Sequence, residues 1–166
     1  AECYPAAKAG GLGDVVGALP KYLTSTGTPT GVIIPKYHTK WILSRQFRPV
    51  YQGSVRLHHS FMPFAVEAYE GDELGYPFFV VDIPGKFDRP GIYADPHGGW
   101  YADEAERFLC FQQAVLQWIV SLPERPEILH CHDHHTSLIP FLVQFGLEYQ
   151  SLSRMPTVFT IHNGEY

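Results

Sequence analysis

The sequence predicts an α/β fold: a mostly parallel sheet with helices on both faces and a β-hairpin inserted into it. Three observations carry this. Short apolar runs rich in β-branched and aromatic residues recur along the chain, as buried strands require. Segments with helical spacing of apolar residues fall between them, and that alternation sets strands side by side in parallel. The stretch Val50–Asp82 behaves differently. It alternates apolar and polar residues, Val55-Arg56-Leu57-His58 and then Phe64-Ala65-Val66-Glu67-Ala68-Tyr69, the period-two signature of a hairpin with one wet face.

In chain order, the first helix is expected to start near Gly13 and end before Gly27, with Pro20 as a kink point. A strand follows at Gly31–Ile34, then the hairpin region with strands at Phe64–Tyr69 and Pro77–Asp82. Asp103–Leu122 has the clearest helical pattern. Asp103 and Glu106 form a D-x-x-E start close to a capping box. Phe108, Phe111, Val115, Trp118, Ile119 and Leu122 keep helical spacing, and Pro123 stops the run. A strand at Ile128–His132 leads to a helix from His135 or Thr136 to Phe145, with Gly146 as its stop, and Pro156–His162 is the last strand. A glycine turn such as Gly10–Gly13 normally follows a strand, yet nine residues precede it. His162-Asn163-Gly164 likewise follows directly on a strong strand. The chain is therefore expected to be one domain, residues 1–166, truncated at both ends from something larger.

Composition narrows the function classes. Of 166 residues, 45% are hydrophobic and 17% charged, with a net charge of −5. The charged share is below the roughly 25% of an average domain, which excludes a disordered tail. A net negative chain without a basic stripe is not expected to bind nucleic acid, and no run of about 18 apolar residues suggests a membrane span. Cys3, Cys110 and Cys131 are odd in number and lack C-x-x-C spacing, which fits free thiols in a reducing, cytoplasmic setting. The first residues show no signal-peptide pattern.

Four segments could carry chemistry. In Lys8-Ala9-Gly10-Gly11-Leu12-Gly13-Asp14, glycines permit close backbone approach to a ligand, and the helix that follows aims its N–H groups at any anion. Lys8 would add a mobile cation. The spacing matches neither the dinucleotide nor the P-loop fingerprint, so a plain tight turn stands beside the phosphate reading. His130-Cys131-His132-Asp133-His134-His135 leaves the carboxyl end of a strand. Metal binding, a polar strand-to-helix turn with Asp133 near the helix N-terminus, and a ligand-contacting loop are its three readings. Alternation sets His130 and His132 on one strand face, too extended for compact chelation, so no metal is expected. Thr160-Ile161-His162-Asn163-Gly164 offers donors and acceptors suited to sugar hydroxyls or phosphate. Gly91-Ile92-Tyr93 with Gly98-Gly99-Trp100-Tyr101 suits either stacking on a sugar ring or an ordinary packed loop. The first three leave strands at the end where open parallel sheets bind ligands, so they are expected to converge on one cleft. A G-x-S-x-G elbow is absent from the sequence.

These residues resemble a known family. Ala1–Lys21 (AECYPAAKAGGLGDVVGALPK), with its K-x-G-G-L loop at Lys8–Leu12, is similar to the start of bacterial glycogen synthases and plant starch synthases. Gly91-Ile92-Tyr93, DEAERF at Asp103–Phe108, HCHDHHT at His130–Thr136 and VFTIHN at Val158–Asn163 follow in that family's order over nearly the whole chain. The resemblance implies the N-terminal, Rossmann-like half of a two-domain GT-B glycosyltransferase. It implies transfer of glucose from ADP-glucose to the non-reducing end of an α-1,4-glucan with retention of configuration, in the cytoplasm or a plastid, with no cofactor beyond the donor. It assigns Lys8, Gly10 and Gly11 to the donor diphosphate, Asp133 and His162 to catalysis, and Tyr93, His134 and Asn163 to substrate contacts. His134 stands where the family usually has Trp, and Gly164 where Leu is frequent. A C-terminal domain would supply an Arg/Lys pair and an E-x7-E motif, so the chain alone is expected to be inactive.

In such a transfer Asp133 would act either as a nucleophile, as in retaining hydrolases, or, with His162, as an orienting group for front-face attack by the acceptor. Two other classes remain beside it: a non-catalytic carbohydrate- or nucleotide-binding module, and a metal-dependent hydrolase built on His130–His135.

Overall fold

A computed structural model describes residues 1–164. The elements are α1 (Gly11–Ser25), β1 (Val32–Pro35), α2 (Lys40–Leu43), β2 (Phe47–Leu57), β3 (Ser60–Tyr69), β4 (Phe78–Asp82), α3 (Glu104–Ser121), β5 (Leu129–His132), α4 (Leu138–Phe145) and β6 (Thr157–Thr160). Short 3₁₀ turns cover His134–Thr136 and Leu147–Leu152. The α/β class holds, but the described strands form two sheets rather than one. One has the order β1-β4-β3-β2 and the other pairs β5 with β6.

The parallel expectation is met in part. β1 and β4 run parallel, from Val32 opposite Phe78 to Pro35 opposite Val81, and β5 and β6 run parallel, from Leu129 opposite Thr157 to His132 opposite Thr160. The hairpin β2–β3 extends the larger sheet antiparallel to β4, so that sheet is mixed. Its outer strand β2 carries Pro49 beside a register shift before Tyr51, where an edge strand tolerates a missing N–H.

α3 closes the core over the sheet. Phe79 meets Trp118 with ring centroids 4.7 Å apart, Phe87 touches Phe108 and Phe111, and Val66, Val80, Ala114 and Leu116 are fully buried. The expected capping box does not form, because Asp103 makes no side-chain bond to the helix N–H groups. Its carboxylate instead takes Arg89 in a two-point pair at 2.9 and 2.8 Å, and Glu106 pairs with Lys86. Charge pairing with the preceding loop outcompetes the local cap. The helix expected from His135 or Thr136 begins at Leu138, after the 3₁₀ turn.

α1 sits close against the N-terminal segment. The Tyr4 N–H donates to the Gly13 carbonyl at 2.9 Å, and the Tyr76 hydroxyl lies 3.2 Å from Cys3 Sγ. A Cβ on Gly17 would stand 2.5 Å from the Tyr4 carbonyl oxygen. Alanine would favour the helix by about 1 kcal/mol, but overpacking against backbone costs about 1–3 kcal/mol. Gly17→Ala is therefore expected to lower the urea midpoint of unfolding; a raised midpoint would show that the 1–7 segment is not held against α1.

Candidate active site

The start of α1, one loop and the ends of two strands meet at one cavity of about 380 Å³. The start of α1 contributes Gly10 and Gly11, the 91–101 loop contributes Tyr93 and Trp100, and the ends of β5 and β6 contribute Asp133, His134, His162 and Asn163. Glu2, Leu12, Val15 and His135 complete the lining. The convergence expected of the motifs is what the fold builds for the backbone, imidazole and carboxylate groups, though not for Lys8. A second cavity of about 280 Å³, beside Arg56, His58, Gln113, Gln117 and Glu148, contains none of the motif residues.

Parallel pairing explains why Asp133 and His162 are neighbours. His132 and Thr160 are in register, so the next residues leave their strands at one level. The His162 N–H donates to Asp133 Oδ1 at 2.6 Å, and the Asp133 N–H donates to the Thr160 carbonyl at 3.0 Å. Asp133 has φ 58° and ψ −179°, a region that is essentially glycine's and costs on the order of 1–3 kcal/mol. It is 4% exposed. Asp133 does stand at the N-terminus of the 3₁₀ turn, as the strand-to-helix-turn reading had it, but its side chain caps no helix N–H; it ties the two strand exits together.

The glycine loop differs from expectation in two respects. Glu2, 3% exposed, accepts the Ala9 and Gly10 N–H groups at 2.5 and 2.9 Å on Oε2, so the Gly10 amide is not free for a phosphate. Gly11 and the next N–H groups of α1 are left without a side-chain cap, since the N-cap Gly10 provides none. Lys8 does not line the cavity. Its ammonium is chelated by Asp14 at 2.8 and 2.7 Å, with both side chains about half exposed. Such a surface pair is worth no more than about 1 kcal/mol, little enough for an arriving anion to replace Asp14.

Tyr93 is fixed from two sides. Its hydroxyl donates to Glu2 Oε1 at 2.8 Å, and its ring stacks on His135 at 4.6 Å. Burial raises its phenol pKa well above the ordinary value. Arg107, fully buried, holds the same loop by donating to the Ile92 carbonyl at 2.9 Å. The one grouping with ligand atoms near enough for a metal among the described residues is Glu104, His134 and His135, all within 4.8 Å. It differs from the consecutive run considered in the sequence, and the Arg107 charge acting on His135 opposes a dication there.

Sequence reasoning missed Glu2 and Arg107. A carboxylate eight residues ahead of a glycine pair was the only available signal for Glu2, and Arg107 looked like an ordinary helical charge.

Comparisons with known proteins bear on the family and the fold. The profile described as starch synthase catalytic domain matches residues 1–166. The chain belongs to the starch synthase catalytic domain family. A glycogen synthase from Flavobacterium johnsoniae is 48% identical over 166 residues, covering 100% of this chain and 34% of the relative. One from Bordetella petrii is 38% identical over 170 residues, covering 98% and 30%. Among solved structures, the catalytic domain of starch synthase IV from Arabidopsis thaliana, bound to ADP and acarbose, superposes with a TM-score of 0.79 at 26% identity, covering 100% of this chain and 33% of that one. The chain thus spans about a third of the length of these family members.

Two outcomes test the site's physical chemistry. A Cβ on Gly10 or Gly11 meets nothing within 4 Å, and neither residue has positive φ, so the fold does not require glycine at either position. Gly11→Ala should keep or raise the melting temperature, helix propensity favouring it by up to about 1 kcal/mol; a marked fall would make these glycines structural. Burial lowers the His132 pKa from 6.5 to about 4, with His130 and His162 adding to it; it lowers that of His135 to about 2. Both are neutral when folded and protonate when unfolded below pH 6.5, so stability falls as pH falls. Each should contribute about 2 kcal/mol of loss between pH 6.5 and 5. Urea unfolding across that window should show a shallower slope for His135→Gln than for the wild type, and equal slopes would refute the shift.

Proposed function

We propose that this chain is the N-terminal half of a two-domain, GT-B type retaining glucosyltransferase that extends α-1,4-glucans from ADP-glucose. The observation that carries the reading is the convergence of the α1 N-terminus, Tyr93, Asp133, His162 and Asn163 on one cavity. Membership of the family supports it, as do the glycogen synthase relatives. The ADP and acarbose bound in the Arabidopsis relative support a nucleotide donor and a glucan acceptor. Apolar side chains exposed on α4 and after β6, Phe145 at 66% and Ile161 at 66%, suit a chain that packs against further structure.

The chemical demand is to break the bond from glucose C1 to the diphosphate while positive charge grows on the sugar. Preorganised dipoles and cations on the leaving phosphate are the strongest lever for this. In our reading the N–H groups from Gly11 onward receive the phosphate, and Lys8 exchanges Asp14 for it. Asp133 and His162 face the sugar, where a fixed carboxylate stabilises developing positive charge. Tyr93, held by Glu2 and His135, and Asn163 orient the ring and its hydroxyls.

The test is a chimera in which this chain replaces the matching third of the Flavobacterium johnsoniae glycogen synthase, assayed for glucose transfer from ADP-glucose to glycogen. A folded, active chimera is expected. Asp133→Asn and His162→Ala should then lower kcat at least about 10²-fold, the scale of one lost transition-state contact, with little change in melting temperature. A folded chimera that binds ADP-glucose without turnover would favour the binding-module reading. A lowered melting temperature with full turnover in either variant would remove that residue from the chemistry.

A further inference from the structure

Three imidazoles form a continuous row along the pair β5–β6. His130 Nε2 lies 2.8 Å from Thr160 Oγ1, the His130 and His132 rings stack with centroids 4.1 Å apart, and His132 Nδ1 lies 2.9 Å from His162 Nε2. The strands do not need this side-chain bond, because their backbones are already paired in register up to His132 and Thr160. What the bond adds is control of a ring at the cavity. The His162 backbone is fixed by Asp133; its ring is fixed by His132.

We propose that His132 is a positioning residue that sets the tautomer and ring orientation of His162. An imidazole with one nitrogen engaged can offer only the other to a ligand, and the engaging partner decides whether that other nitrogen carries the proton. Either nitrogen of this contact can donate; in our proposal His132 Nδ1–H is the donor, which leaves His162 Nδ1–H as a donor toward a sugar hydroxyl or phosphate oxygen. His132 suits this role because its surroundings keep it neutral: burial first, then the neighbouring His130 and His162, oppose its protonation, against the favourable charge of Asp133. A neutral His132 can donate a hydrogen bond to His162 without placing a positive charge beside it. Carboxylates and carbonyls orient histidines in the same way in many sites; here another histidine does so.

The inference rests on the proposed function only for its consequence, so its test has a part that needs no activity. Imidazole ¹⁵N spectra of the protein at neutral pH are expected to show His162 as one tautomer, protonated on Nδ1. His132→Phe keeps the ring shape and removes the bond; it should leave His162 as a mixture of tautomers. His132→Asn places an amide where Nδ1 was and should restore the single form. A His162 spectrum unchanged in His132→Phe, or protonated on Nε2 in the wild type, overturns the proposal whatever the enzyme does. In the active chimera, His132→Phe should lower kcat about tenfold or more, the scale of losing an orienting partner, with KM for ADP-glucose nearly unchanged and His132→Asn recovering most of the loss. Tautomer loss with full kcat would overturn the positioning role. An inactive wild-type chimera would count against the function alone, since the spectra decide the tautomer separately.

Discussion

One buried carboxylate holds the candidate site together. Glu2 receives the Ala9 and Gly10 amides on one oxygen and the Tyr93 hydroxyl on the other. Segments some ninety residues apart in sequence are thereby fixed at one point. Hydrogen bonds to a charged group are each worth about 1.5–3 kcal/mol, and a buried carboxylate is tolerable only because its lone pairs are met in this way. The consequence reaches both walls of the cavity. The glycine loop cannot swing away from α1 without freeing Glu2, and Tyr93 cannot leave His135 without leaving Glu2 as well.

The opposite wall is built on a different constraint. Parallel strands of equal length release β5 and β6 at the same level, and the chain turns sharply at Asp133 through a backbone conformation that only glycine adopts freely. A glycine there would relieve the strain and remove the carboxylate. An aspartate occupies the position, and its carboxylate is bonded to the His162 amide. The imidazole row then carries the order of the sheet out to His162.

Periodicity made most elements legible. The 3.6-residue pattern of Phe108, Phe111, Val115 and Trp118 placed α3, and the alternation around Val55 and Phe64 placed the hairpin. Three features were not legible, each for a physical reason. Strand order depends on hydrogen bonds between distant segments, so the division into a mixed sheet and a separate β5–β6 pair does not appear in local pattern. Asp103 has the spacing of a cap, but Arg89, fourteen residues earlier, offers a two-point charged partner that the backbone amides cannot match. The K-x-G-G-L-G-D segment was legible as a turn into a helix, yet its hydrogen-bond partners were not. Glu2 takes the Gly10 amide, and Asp14 takes Lys8.

Those pairings have an electrostatic consequence for the whole site. Glu2 and Asp133 are buried carboxylates on the cavity wall, His132 and His135 are kept neutral by burial, and the charge of Lys8 is already met by Asp14. Dipoles of the first turn of α1 amount to about half a unit of positive charge, well short of a diphosphate. This wall can therefore orient a sugar and receive one edge of an anion, but it cannot neutralise a departing diphosphate unaided. Under the proposed function, the positive charge comes from a second surface facing the same cavity, the Arg/Lys pair expected of a C-terminal domain. The negative wall has its own use in the proposed reaction: with cations on the far side, the field across the cavity would run from them toward Asp133, which favours charge separation along the bond proposed to break.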